Sequence, residues 1–177
     1  MENERKTVRS ADMGMDEHRL SDILLASQIK ATDIYETPPQ IIWIDNSTIA
    51  TLGNFSASTG KAKSKKTFNV SALVAASLAG KQVLNYRAHL PEGKQRILYV
   101  DTEQRRFHCR SVLERILRLA GLPTPTDPEN LDFFCLREYS PSVRVEVIDY
   151  ALRQNKGYGL VIIDGIRALM LDIHSNG

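Results

Sequence analysis

Three short apolar runs, Arg96–Val100, Leu131–Leu136 and Leu160–Ile163, alternate with two helix-patterned stretches. This alternation narrows the folds open to the chain more than any other feature. Each run has the length of a strand, and the segments between them repeat apolar residues at helical spacing. Arg105–Ala120 carries Val112, Leu113, Ile116, Leu117 and Leu119, then stops at Gly121 and Pro123. Pro141–Gln154 begins with proline at its first helical position, behind Ser140 as a cap. Strands that are apolar on both faces and separated by helices imply a mostly parallel sheet covered on both sides, so the expectation is an α/β fold.

The rest of the chain attaches to this frame. Residues 1–16 are polar, charged and aperiodic, which reads as a loosely attached tail. From Asp16 to Ile34, the residues Leu20, Ile23, Leu24 and Ile29 suit one face of an amphipathic helix, with Pro38-Pro39 ending it. The expected division is a tail and helix over residues 1–39 and one domain over 40–177. Gln40–Asp45 and Ser47–Leu52 read as a hairpin about Asp45-Asn46, and Asn54–Ser58 as a further short strand. A polar loop, Ser58–Ser64, leads into a helix over Lys65–Ala79, which bears Phe68, Ala72, Leu73, Ala76 and Leu78 and stops at Gly80. Leu84–Gly93 is expected as a mobile polar loop, and Gly157–Gly159 as a break.

Composition excludes several classes. With 42% hydrophobic and 25% charged residues in 177, the chain is of ordinary globular type. A net charge of +2 does not argue for nucleic acid, but four lysines cluster within Lys61–Lys66. The segment Met-Glu-Asn-Glu-Arg-Lys precedes no apolar h-region, and no apolar run is long enough to span a bilayer, so the expected location is the cytoplasm. Cys109 and Cys135 lie in apolar surroundings and read as reduced thiols, with a disulfide left open. His18, His89, His108 and His174 have no metal-ligand spacing.

The chemistry-bearing segment is Thr59-Gly60-Lys61-Ala62-Lys63-Ser64-Lys65-Lys66-Thr67-Phe68. It fits the phosphate-loop pattern at Gly60, Lys66 and Thr67 and departs from it at the second glycine, where Lys65 stands. Such a loop between strand and helix turns consecutive amides toward a phosphate, and the helix start adds partial positive charge. Lys66 is then the residue for the β- and γ-phosphates, and Thr67 the hydroxyl for Mg²⁺. Lys65 is tolerable there if it already has helical dihedrals. A solvated basic loop is the alternative reading.

Two acidic strand ends follow. Leu160-Val161-Ile162-Ile163-Asp164 has the Walker B form, an apolar strand expected beside the one leading into the loop, with its carboxylate serving Mg²⁺. Ile97-Leu98-Tyr99-Val100-Asp101-Thr102-Glu103-Gln104 puts acids at the carboxyl end of another strand, where open α/β sheets hold their sites. Glu103 is the candidate general base. Asp101 or Thr102 is equally readable as a cap for the next helix.

A loop ending Lys66-Thr67, then Val-Asp-Thr-Glu, then Leu-Val-Ile-Ile-Asp-Gly, in that order, resembles the RecA-like P-loop ATPases. These include recombinases and replicative helicases of the RepA and DnaB type. More narrowly, the loop is similar to those of AAA-family ATPases on plasmids and mobilisable elements, where a lysine at position 65 would be a family trait. The resemblance runs from about Ile41 to Ser175. It implies a RecA-like core binding ATP and Mg²⁺, with Glu103 as the catalytic glutamate and Asp164 as the Walker B aspartate. It also implies ATP held between subunits of a ring or filament, and DNA as partner. Such a core continues past its Walker B strand, and thirteen residues follow Asp164, so the expectation is a core incomplete at its C-terminus. The competing expectation is a non-catalytic phosphate- or nucleic-acid-binding accessory protein of a mobile element. A partition-type ATPase, suggested by Lys61, ranks below both because the glycine pair of that family is missing.

Overall fold

The computed structural model describes residues 17–61 and 65–170. The tail over residues 1–16, the loop residues Ala62, Lys63 and Ser64, and His174 lie outside them. The chain divides into two compact units, Met1–Thr37 and Pro38–Gly177.

In the first unit a helix, α1 (Glu17–Ser27), ends well short of the proline pair expected to stop it. A turn about Asp33 takes the place of the expected helical continuation. The Asp33 carboxylate accepts the Lys30 amide at 2.8 Å and the Tyr35 hydroxyl at 2.9 Å, an arrangement that offers the backbone a turn in place of a further helical one. Leu20, Ile23, Leu24 and Ile29 are exposed.

The second unit contains parallel and antiparallel strands flanked by helices. Strands β1 (Gln40–Ile44) and β2 (Ser47–Thr51) form the expected hairpin. A third strand, β3 (Tyr86–Ala88), adds antiparallel to the other side of β1, so the segment expected as a mobile loop is partly sheet. The reason is period-two burial: Tyr86, Ala88 and Leu90 point inward, while the Arg87 guanidinium lies 4.8 Å from the Trp43 ring centre. Asn54–Ser58 is not a strand. The Asn54 side chain donates to the Thr51 hydroxyl at 2.7 Å and the Ser56 hydroxyl to the Ile49 carbonyl at 2.7 Å, local bonds that replace a ladder, and Phe55 is left exposed.

Helix α2 (Lys66–Ala79) precedes β3. Beyond β3 come β4 (Arg96–Asp101), α3 (Arg106–Ala120), β5 (Leu131–Cys135), α4 (Pro141–Gln154) and β6 (Tyr158–Asp164). The last three strands form a parallel sheet in the order β5-β4-β6. Two cores cover it. Ile97 and Tyr99 of β4 join α2 and α3 residues, among them Ala72, Ala76, Val112 and Ile116. The alternate β4 residues Leu98 and Val100 face the other way, toward Ile148 of α4. This is the strand alternation that the uninterrupted apolar runs conceal.

Four local expectations need correction. Among the described residues β6 pairs only with β4, not with a strand leading into the phosphate-type loop. Gly159 belongs to β6 and is no break; a Cβ there would sit 1.9 Å from the Lys94 carbonyl oxygen, so the close approach of that backbone requires glycine. The cap of α3 is Arg105, not Asp101 or Thr102. Ser140 stands at the start of α4, but its hydroxyl meets that of Ser142 at 3.1 Å and makes no cap bond.

Candidate functional site

The parallel register brings Asp101 opposite Asp164 at the carboxyl ends of β4 and β6. The chain leaves β4 through a tight turn. Asp101 accepts the amides of Glu103 at 2.9 Å and Gln104 at 2.7 Å on one oxygen, and the Gln104 side-chain amide at 2.8 Å on the other. Asp101 is fully buried, and these bonds satisfy its charge. Its work is to shape the turn that presents Glu103, which is exposed.

Thr102 clips that turn to the next strand. Its amide donates to the Asp164 carbonyl at 3.0 Å, and its hydroxyl to the carbonyls of Asp164 and Gly165 at 3.1 and 2.7 Å. Gly165 has φ 96°, and a Cβ there would lie 2.5 Å from both the Glu103 Cγ and the Thr102 Oγ1. Glycine is therefore required both for the turn after β6 and for the room Glu103 occupies.

The loop helix α2 meets these strand ends at Thr67. Its hydroxyl donates to Asp164 Oδ2 at 3.3 Å, across 97 residues of sequence, and the Tyr99 hydroxyl donates to the same oxygen at 3.0 Å. Lys66 folds back over its own loop, with Nζ 2.7 Å from the Gly60 carbonyl and 3.2 Å from that of Lys61. Lys65 does not have the helical dihedrals expected of it. Its φ of 60° and ψ of 25° are left-handed, the conformation a glycine would adopt most readily, and its carbonyl accepts the amides of Phe68 and Asn69.

Thr67 and Asp164 thus touch, Lys66 touches the Gly60–Lys61 backbone, and Glu103 stands at the same sheet end beside Gly165. Thr59 is exposed in the segment before the loop. Phe68 follows Thr67 on α2, its half-exposed side chain lining a surface cavity of about 430 Å³ with Lys65 and Arg115. Ala62, Lys63 and Ser64 fall outside the described residues. Both cysteines are free thiols that point at the Gln104 carbonyl, Cys135 at 3.3 Å and Cys109 at 3.7 Å. Burial, then the neighbouring Cys135, pushes the Cys109 thiol up, which disfavours its thiolate.

A family model described as the AAA domain matches residues 19–177. The chain belongs to the AAA domain family. Membership makes it part of the P-loop ATPase superfamily and carries a general role in ATP binding and hydrolysis. No curated protein and no solved structure matches the chain. No helix among the described residues of this AAA domain is long and apolar enough to cross a membrane.

ATP use brings Mg²⁺ with it, and the donors around Asp164 suit that ion. Among the described residues no three His, Cys, Asp or Glu side chains gather as a metal cage. Mg²⁺ seldom uses one: it takes one or two hard protein oxygens and completes its shell with substrate phosphates and water. A hydroxyl and a carboxylate in contact, Thr67 and Asp164, are such a pair.

Sequence reading assigned no role to Tyr99 or Gly165 and read Thr102 only as a helix cap. The signal for Tyr99 was available: it is the one side chain with a polar tip inside the run Ile97–Val100, and a buried phenol needs a partner.

Proposed function

We propose that this AAA domain binds ATP with Mg²⁺ at the end of β4 and β6 and hydrolyses it, as the motor of a RecA-like, helicase-type protein in DNA replication or mobilisation. The observation that carries the reading is the Thr67–Asp164 contact, because it joins the helix after the lysine loop to the apolar strand end expected to serve Mg²⁺.

In this reading the backbone from Thr59 to Phe68 cradles the phosphates. Lys66 exchanges the carbonyls of Gly60 and Lys61 for β- and γ-phosphate oxygens, so its charge meets the charge that develops as the terminal phosphoryl leaves. Thr67 and Asp164 hold Mg²⁺, which when bound neutralises phosphate charge. Glu103, pinned by the Asp101 turn, orients the attacking water and takes its proton. A ring or filament of subunits working on DNA follows from the RecA-type resemblance.

The test is ATP affinity in wild type and in Lys66→Ala. Loss of a charge-assisted contact to phosphate should weaken binding roughly ten- to hundred-fold. Unchanged affinity, with nucleic acid or phosphate still bound, would favour the non-catalytic accessory protein.

A further inference from the structure

A carboxylate that acts on a metal beside a hydroxyl must present the same oxygen each time. Asp164 has a restraint for this that the phosphate-loop pattern does not contain. Tyr99 is fully buried, and its ring stacks on Phe133 with centroids 4.3 Å apart and planes 8° apart. The register sets Tyr99 between Phe133 of β5 and Ile162 of β6. Asp164 lies two residues beyond Ile162 and so shares its face of the sheet. The Tyr99 hydroxyl reaches along the strand to Asp164, where it donates at 3.0 Å to the oxygen that also accepts from Thr67.

We propose that Tyr99 is a positioning residue: its hydroxyl fixes the Asp164 carboxylate against Thr67 and thereby sets the Mg²⁺ affinity of the nucleotide site. This rests on the ATP–Mg²⁺ reading above. Two donors on one oxygen hold the side chain in a single rotamer, at no cost of a further charge in the core.

The experiment measures binding of a fluorescent ATP analogue across a Mg²⁺ titration, and in EDTA, with melting temperature recorded for each protein. Tyr99→Phe keeps the ring and its stacking and removes only the hydroxyl. It is expected to raise the half-saturating Mg²⁺ about ten-fold or more, as loss of a group that orients a metal ligand does, with affinity in EDTA unchanged. Phe133→Leu removes the stacking partner and keeps the hydroxyl. It is expected to lower the melting temperature and leave the Mg²⁺ requirement near that of wild type. A wild-type Mg²⁺ requirement in Tyr99→Phe would overturn the proposal, as would an equal shift in Phe133→Leu, which would assign the effect to packing. Asp164→Asn separates this failure from that of the site itself. If wild-type binding ignores Mg²⁺, or Asp164→Asn leaves the Mg²⁺ requirement unchanged, the nucleotide-site reading falls and the role of Tyr99 with it.

Discussion

At Lys65 the backbone turns left-handed just before α2, a conformation that costs an ordinary residue roughly 1 kcal/mol. Lys65→Gly should therefore raise stability by up to about 1 kcal/mol in chemical denaturation, less what glycine adds to the freedom of the unfolded chain. A Lys65→Val variant, β-branched at positive φ, should fall below wild type. Gly165 is the opposite case. Its φ of 96° and its contact with Glu103 make Gly165→Ala strained twice over, with an expected loss of about 2 kcal/mol and a displaced Glu103. Denaturation and ATP turnover on the same protein would check it; a stable variant with full turnover would show that Glu103 does not need that room. The placement of Lys66 and Thr67 at a helix start, and of Glu103 and Asp164 at or just past strand ends, was legible in the sequence from residue types at those ends; their roles are proposed. The bonds of Tyr99 and Thr102 were not legible, because each joins a residue more than sixty positions away: the polar tip of Tyr99 in an apolar run marks the need for a partner but not which one.

The elements tie together at the opposite ends of the strands as well. Arg96 on β4 donates to Asp132 on β5 at 2.8 Å, and Tyr158 on β6 donates to the same Asp132 oxygen at 2.5 Å, so one carboxylate links all three parallel strands. Burial, then the bond to Asp132, pushes the Tyr158 phenol up to about 12. A raised folded pKa means that this link stabilises the protein fully below the unfolded value of about 10 and is lost as pH climbs through the folded one. Urea midpoints followed from pH 9 to 12 should fall less steeply in Tyr158→Phe than in wild type; parallel curves would remove the link from the account of alkaline stability. Helices α2, α3 and α4 and the parallel strands were legible to within a residue or two, since caps, stops and apolar periodicity all agreed over Arg106–Ala120 and Pro141–Gln154. The far end of α1 was misread by seven residues, and two misread segments of the second unit were short. Tyr86–Ala88 carries only three residues of alternation, and Asn54–Ser58 has strand-like composition but local side-chain bonds that win.

In the second unit, the two cores on opposite faces of the parallel sheet leave its carboxyl ends as the place where the loop helix and two acidic turns converge. That convergence could not be read from spacing alone. The order of the motifs fixes which strands carry them, while the contact depends on α2 packing against the face that Tyr99 and Ile97 cover. The AAA domain family gives the general chemistry, ATP binding and hydrolysis, and the arrangement of Lys66, Thr67, Asp164 and Glu103 is proposed as its machinery. Glu103 divides this proposal most sharply from simple nucleotide binding. The decisive measurement is ATP affinity and steady-state turnover of Glu103→Gln beside wild type: unchanged affinity with turnover reduced about 100-fold or more is expected of a lost general base. Equal turnover in the two proteins, or none in either, would contradict it.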